Sequence, residues 1–349
     1  MQIPRKTYTQ EISLTSITKL ALRATALAAF TMVSASAFAD FDANIELDSK
    51  YQNNDRGASQ SGRVELNASK KMGTKYFIAG RASYLSHPSG TADTDDLWAQ
   101  IGTDMVDIKL GRFEAANLFQ TPGDIIVEYA GFSPYQANVL RGRQGAGNNG
   151  SAPFHAAVTM QLGGGLSFEL SGVSTKSTNQ ATGLRPVLNY ANGPLHLAVG
   201  VESIRYADTA VTTTVNTFDP TTFVITSTST TATTKGSRRT GFGLTGDYNF
   251  GGFTLYGNYA AGKSNAGLKQ STFALMAGIG NLTLASVFGK AEVAGAEDAK
   301  VTTFWAAYAI PFFDVPNAKI TPAVSLSKGS GSNTAKDATG VSVRVNYAF

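Results

Sequence analysis

The chain has no cysteine, only three histidines and two tryptophans, and 15% charged residues among its 349. Without cysteine there can be no disulfide, no thiol nucleophile and no Cys-ligated zinc or iron–sulfur centre. His87, His155 and His196 lack the spacing of a metal-binding pair, and no Ser-containing elbow motif accompanies them. Gly145-Ala146-Gly147-Asn148-Asn149-Gly150 fits G-x-G-x-x-G in letters. No strand pattern precedes it and no helix pattern follows, so it reads as a loop end and not as a nucleotide site. No cofactor or metal is expected. An apolar run of the ~20 residues that a membrane helix needs is missing as well.

Charge of one sign is also scarce once the beginning of the chain is set aside. Residues 1–39 read as an export signal: Arg5, Lys6, Lys19 and Arg23 precede a modest apolar run, and Ala37-Phe38-Ala39 fits an A-x-A cleavage site. That leader holds four of the 29 bases and one of the 25 acids, leaving 25 against 24 and a net charge of +1 over 40–349. Such a balance gives no electrostatic reason to expect nucleic acid as a partner.

What the chain does have is glycine, 36 of them, and a period of two. In Ile45 to Tyr51, Ile45, Leu47 and Tyr51 fall on one side and Glu46, Asp48 and Lys50 on the other. Arg63 to Ala68 repeats this, as does Lys75 to Leu85, where Tyr76, Ile78 and Tyr84 oppose Arg81 and Ser83. Further strands are expected near 95–103, 105–112, 154–162, 166–175, 184–191, 195–206, 239–249, 253–262, 270–279, 282–291, 300–310, 319–328 and 340–349. That makes about 16 strands, many of ~9–11 residues, the length with which a tilted strand crosses a bilayer.

The connections carry a second signal. Met72-Gly73-Thr74, Thr103-Asp104, Gly163-Gly164-Gly165, Asn192-Gly193-Pro194, Phe250-Gly251-Gly252 and Gly280-Asn281 are tight and built of turn residues. They alternate with longer polar segments near 52–61, 86–94, 113–153, 176–183, 207–238, 263–269, 292–299 and 329–339. Short turns at one end and longer loops at the other predict an all-β fold, a transmembrane up-and-down antiparallel barrel. An even number of strands closes the sheet and leaves no edge. The Thr-rich stretch Ala207–Lys235 reads as a hairpin or loop outside the membrane.

The segment 113–153 stands apart. Leu118, Phe119, Ile125, Ile126, Val127, Tyr129, Phe132, Tyr135, Val139 and Leu140 are too apolar for a free surface loop, so it must pack against something. Leu110-Gly111-Arg112 before it, the strand count, the leader and a last strand, Val341 to Phe349, ending Tyr-Ala-Phe together resemble the Gram-negative general porins. The resemblance covers nearly all of 40–349. It implies an outer-membrane location, a third long loop folded into the lumen, passive passage of ions and small hydrophilic solutes, and a homotrimer in the lipid bilayer.

For such a pore the chemistry lies in the constriction and its charges. Candidate loop acids are Glu114, Asp124 and Glu128. Candidate wall bases are Lys50, Arg63, Arg81 and Arg344, with Arg141 and Arg143 just before the strand that follows the loop. Loop acids facing wall bases would set a transverse field across the opening; interleaving with Glu46, Asp48 and Glu65 would instead make these ordinary lumen charges. Phe77, Trp98 and Tyr256 could form a sugar-stacking track. A substrate-selective channel and, from another class, a barrel hydrolase are the rival functions.

Overall fold

The computed structural model describes residues 40–53, 57–87, 90–122, 141, 154–174, 181–219, 224–265, 267–292, 294–312, 315–332 and 337–349, without the side chains of 209–228 and 230. Its strands are β1 (Asp40–Gln52), β2 (Gly57–Met72), β3 (Tyr76–Ser86), β4 (Ala92–Thr103), β5 (Val106–Arg112), β6 (Phe154–Gly163) and β7 (Leu166–Ser174). Then come β8 (Ala181–Asn192), β9 (Leu195–Tyr206), β10 (Thr209–Asp219), β11 (Val224–Thr234), β12 (Arg238–Asn249), β13 (Thr254–Ser264) and β14 (Lys269–Ile279). The last are β15 (Leu282–Glu292), β16 (Ala299–Tyr308), β17 (Ile310–Pro311), β18 (Ala318–Gly331) and β19 (Ala338–Ala348).

Sixteen of them form one closed antiparallel wall, because β9 pairs with β12, β16 with β18, and β19 returns to β1. The two-residue β17 only extends the edge of β18, and β10 with β11 makes a separate hairpin. The closing seam runs from Asn44 opposite Ala348 to Gln52 opposite Gly340. Ala43 and Phe349 then exchange both backbone hydrogen bonds, at 2.7 and 2.9 Å. Closure leaves the sixteen wall strands without an open edge, which a wall in hydrocarbon requires.

The alternation read from sequence sets which way each side chain points. On β1 and β19, Ile45, Leu47, Tyr51, Val341, Val343 and Val345 are exposed on the outside. Asp48, Gln52 and Arg344 are buried on the inside. The same inversion, apolar out and polar in, recurs around the wall: Leu244 and Leu275 are exposed, while Thr245, Asn258, Thr272 and Thr303 are buried. Water would penalise that outer surface, and a bilayer would not.

Two expectations about the connections need correcting. The segment near 52–61 is mostly strand, since β1 ends at Gln52 and β2 begins at Gly57. β2 is 16 residues long; at ~3.3 Å per residue it exceeds the ~25 Å apolar band, so the wall continues above the membrane on that side. The turn side, in turn, is not uniformly tight, because 309–317 is a longer connection carrying β17, with Asn317 at a φ of 62°. Elsewhere the tight turns stand where the turn residues placed them, as at Gly164 and Gly165, whose φ values of 60° and 83° favour glycine.

Candidate pore and its constriction

The third long connection enters the barrel at once. Gly111, with a φ of 123°, lies against the backbone of Leu97 and Trp98 with no room for a Cβ. The next residue but one, Phe113, is buried and stacks on His155 of β6, centroids 3.8 Å apart. His155 Nδ1 sits 3.1 Å from the Phe113 carbonyl, so this histidine braces the arm. Ala116 N–H then donates to Glu169 Oε1 of β7 at 2.8 Å. Leu118 and Phe119, 0% and 1% exposed, join one apolar cluster with Val187, Ala198, Ala260, Met276, Val287 and Trp305 of the wall. Gly200 leaves the space that Leu118 uses; a Cβ there would meet Leu118 Cδ1 at 3.0 Å.

A polar clamp ends the described arm. Gln120 N–H donates to Asn258 Oδ1 at 2.9 Å, and Asn258 Nδ2 donates to the Gln120 carbonyl at 2.9 Å. Thr245 Oγ1 orients the same amide at 2.5 Å. Arg141 ties the far end of the loop back to its start. Its carbonyl accepts from Ala115 N–H at 2.5 Å, and its guanidinium lies 3.0 Å from Glu114 Oε2. Residues 113–122 are therefore fastened to the inner wall from β6 round to β16.

The charges lie on the other arc. From β19 through β4, bases and acids interleave. Arg344 makes a two-pronged contact with Asp48 at 2.7 and 3.0 Å and lies 3.5 Å from Glu46. Arg63 is 3.6 Å from the same Glu46 and 3.9 Å from Asp95. Arg81 is 3.1 Å from Glu65 and 3.5 Å from Asp96. Asp95 and Asp96 both turn inward because a β-bulge between Ala82 and Tyr84 breaks the alternation, and Ser83 Oγ accepts from Asp96 N–H at 2.8 Å.

The sequence-predicted site residues thus separate into three sets. Lys50, Arg63, Arg81 and Arg344 face inward on β1, β2, β3 and β19, amid acids of neighbouring strands. Glu114 and Arg141 meet each other on the loop. Asp124, Glu128 and Arg143 lie outside the described residues. Sequence reading passed over Asp95 and Asp96, although two adjacent acids in an alternating strand are a bulge signal. It also passed over Thr245 and Asn258, which lie 125 and 138 residues from the Gln120 they clamp and left no local sign.

Of the candidate sugar-stacking aromatics, Trp98 carries Lys109 Nζ 4.5 Å from its ring centre and Arg81 at 5.7 Å. Tyr256 packs against the arm's apolar cluster. Both rings are engaged by the protein itself.

A closed 16-stranded wall, polar inside except where it receives residues 113–122 of the third long connection, defines the porin-type transmembrane β-barrel. Solved structures of that architecture align over nearly the whole chain. OmpT of Vibrio cholerae, in a loop-deletion form, superposes with a TM-score of 0.65 at 13% identity, covering 89% of this chain and 99% of its own. OmpF of Salmonella typhi gives 0.63 at 13%, covering 89% and 97%. An anion-selective porin from Comamonas acidovorans gives 0.59 at 15%, covering 89% and 99%. At such identities the likeness establishes the fold. No family model and no curated protein matches the sequence.

Proposed function

We propose that the chain is an outer-membrane porin through which ions and small hydrophilic solutes diffuse passively. The observation that carries this reading is the division of the lumen into two arcs. The loop arm occupies the side of β6 to β16, and the charged ladder from β19 to β4 lines the space left to water. A dry core would not leave so many ionic groups unburied: Arg63 and Arg81 keep 24% and 32% of their side-chain surface exposed inside the barrel. The proposal includes residues 1–39 as an export signal, 113–153 as the constricting loop, and a homotrimer in the outer membrane. The trimer draws on an OmpT structure of Vibrio cholerae described as a trimer form.

In this reading the constriction works by size and by charge. Four wall bases, Lys50, Arg63, Arg81 and Arg344, stand among five acids, Glu46, Asp48, Glu65, Asp95 and Asp96. Opposite charges a few ångströms apart orient polar solutes and leave only weak net selectivity. Removing bases uncovers the acids. The double variant Arg63→Gln, Arg81→Gln should therefore raise the cation-to-anion permeability ratio several-fold, read as the reversal potential in a salt gradient. An unchanged reversal potential would remove these residues from the conduction path.

Liposome swelling tests the function itself. Vesicles carrying the protein should swell in sugars at rates that fall smoothly with solute size. Saturation by one sugar would instead favour a substrate-selective channel. Among the described residues the hydrolase reading can point to His196 and Asp247, 3.1 Å apart on the inner wall, and to the exposed pair His87 and Asp93, 3.0 Å apart. It would require turnover of lipid or peptide, where the porin reading expects none.

A further inference from the structure

The outer face of the wall is not uniform at the long-loop end. On β13, Tyr259, Ala261 and Lys263 point outward, alternating with buried Asn258 and Ala260. The same alternation puts Lys269 of β14, Lys290 of β15, Lys300 of β16 and Lys328 of β18 on the outer surface at that end. Arg205 of β9 and Arg238 of β12 extend the row. On β19, β1 and β3 the corresponding outward positions are Val341, Tyr51 and Tyr84, so the bases occupy one arc of the barrel.

Their register is costly. Lys263 stands directly opposite Lys269, Lys290 opposite Lys300, and Arg238 opposite Arg205. Like charges in direct cross-strand positions repel. Two acids offset part of this, since Lys290 Nζ lies 2.7 Å from Glu292 Oε1 and 2.9 Å from Asp298 Oδ2. A row of three like-charged pairs at one height, on a wall that is otherwise apolar outside, fits a surface that meets anions.

Beneath the bases the wall is grooved. A cavity of about 710 Å³ on the outer face is lined by Leu184, Pro186, Val201, Phe242 and Tyr259, and Lys263, Lys269 and Lys290 stand over it. A second, of about 670 Å³, shares Leu184, adds Phe154, and has Arg205 and Arg238 at its edge. Gly172 and Ala156 keep it open by lacking bulk. An apolar trough with cations at its upper rim matches an amphiphile with an acyl chain and an anionic head.

We propose that this arc binds an anionic membrane phospholipid, one whose phosphate charge is not cancelled by a cation in the same headgroup, with the phosphate among the lysines and arginines and an acyl chain in the groove. The inference rests on the barrel spanning a membrane, and not on its conducting. Basic residues at a membrane surface strengthen anionic-lipid binding by roughly fivefold each.

The test titrates the detergent-solubilised full chain with dioleoylphosphatidylglycerol and with dioleoylphosphatidylcholine, and reads bound lipid by native mass spectrometry. Phosphatidylglycerol should bind about tenfold more tightly or better. The triple variant Arg238→Gln, Lys263→Gln, Lys269→Gln should abolish that preference, while its heat-modifiable gel mobility shows the barrel to be intact. Ala261→Trp, which fills the groove, should weaken both lipids and leave their ratio. Equal binding of the two lipids, or a preference retained by the triple variant, would overturn the proposal. So would displacement of phosphatidylglycerol by millimolar inorganic phosphate, since that would mark a site for the free ion. Loss of conductance with lipid preference intact would count against the channel alone.

Discussion

Replacing Leu118 and Phe119 together by serine should raise the single-channel conductance roughly twofold and make it noisier. These two side chains are almost fully buried, at 0% and 1% exposure, and anchor the middle of the loop arm. Removing an apolar side chain of that size from such a site costs on the order of 2–5 kcal/mol each. Burying hydroxyls without partners in the cluster around Val187 and Val287 adds to the loss. What would still hold this stretch is the clamp of Gln120 on Asn258, whose two hydrogen bonds contribute about 1 kcal/mol each. The apolar loss exceeds the polar remainder, so the arm beyond Ala116, which keeps its bond to Glu169, should leave the wall while the strands, held by their own ladder, stay closed. Asn258→Ala alone should produce a much smaller change. Conductance identical to the parent would mean that the arm does not narrow the conduction path.

The second large effect concerns the seam. Arg344 and Asp48 lie directly opposite each other where the last strand meets the first, and each is only 6% exposed. Arg344→Met leaves the Asp48 carboxylate buried without its two-pronged partner, a change worth roughly 3–5 kcal/mol. The temperature or urea concentration at which the barrel loses its heat-modifiable form should fall clearly. Adding Asp48→Leu should recover most of that loss, because an apolar pair replaces a broken ionic one. Arg81→Gln makes the contrast: that side chain keeps 32% of its surface in the lumen, so screening limits its contribution to about 1 kcal/mol or less. Equal losses from the two variants would show that burial at the seam has no special weight.

The wall was legible because a barrel writes its geometry locally. Alternation in Ile45 to Tyr51 and in Val341 to Val345 shows which residues meet lipid, and tight turns such as Gly164-Gly165 mark all the turn-side connections but 309–317. The loop was legible for another reason: Leu118 and Phe119 could not stay in water. Its landing place was not, because Val187, Thr245, Asn258 and Trp305 are distant in sequence and individually ordinary. The charged residues were visible as types, but their partners were not. Arg63 meets Asp95 only because a bulge turns that acid inward, and strict alternation would have sent Asp95 and Asp96 to opposite faces.

The reach of β2 above the membrane was missed for a physical reason too. Gln60 and Ser61 have loop-like composition, and only pairing with neighbouring strands holds them extended. The outer bases were seen one strand at a time. That Lys263 faces Lys269 emerges only once the register between β13 and β14 is known.

The claim that this barrel is an open, water-filled pore is tested most directly by adding the purified full chain to a planar bilayer in potassium chloride. Discrete steps of conductance should appear, scale nearly in proportion to salt concentration, and pass current at either polarity. Well-folded, heat-modifiable protein that inserts and gives no steps would contradict the account.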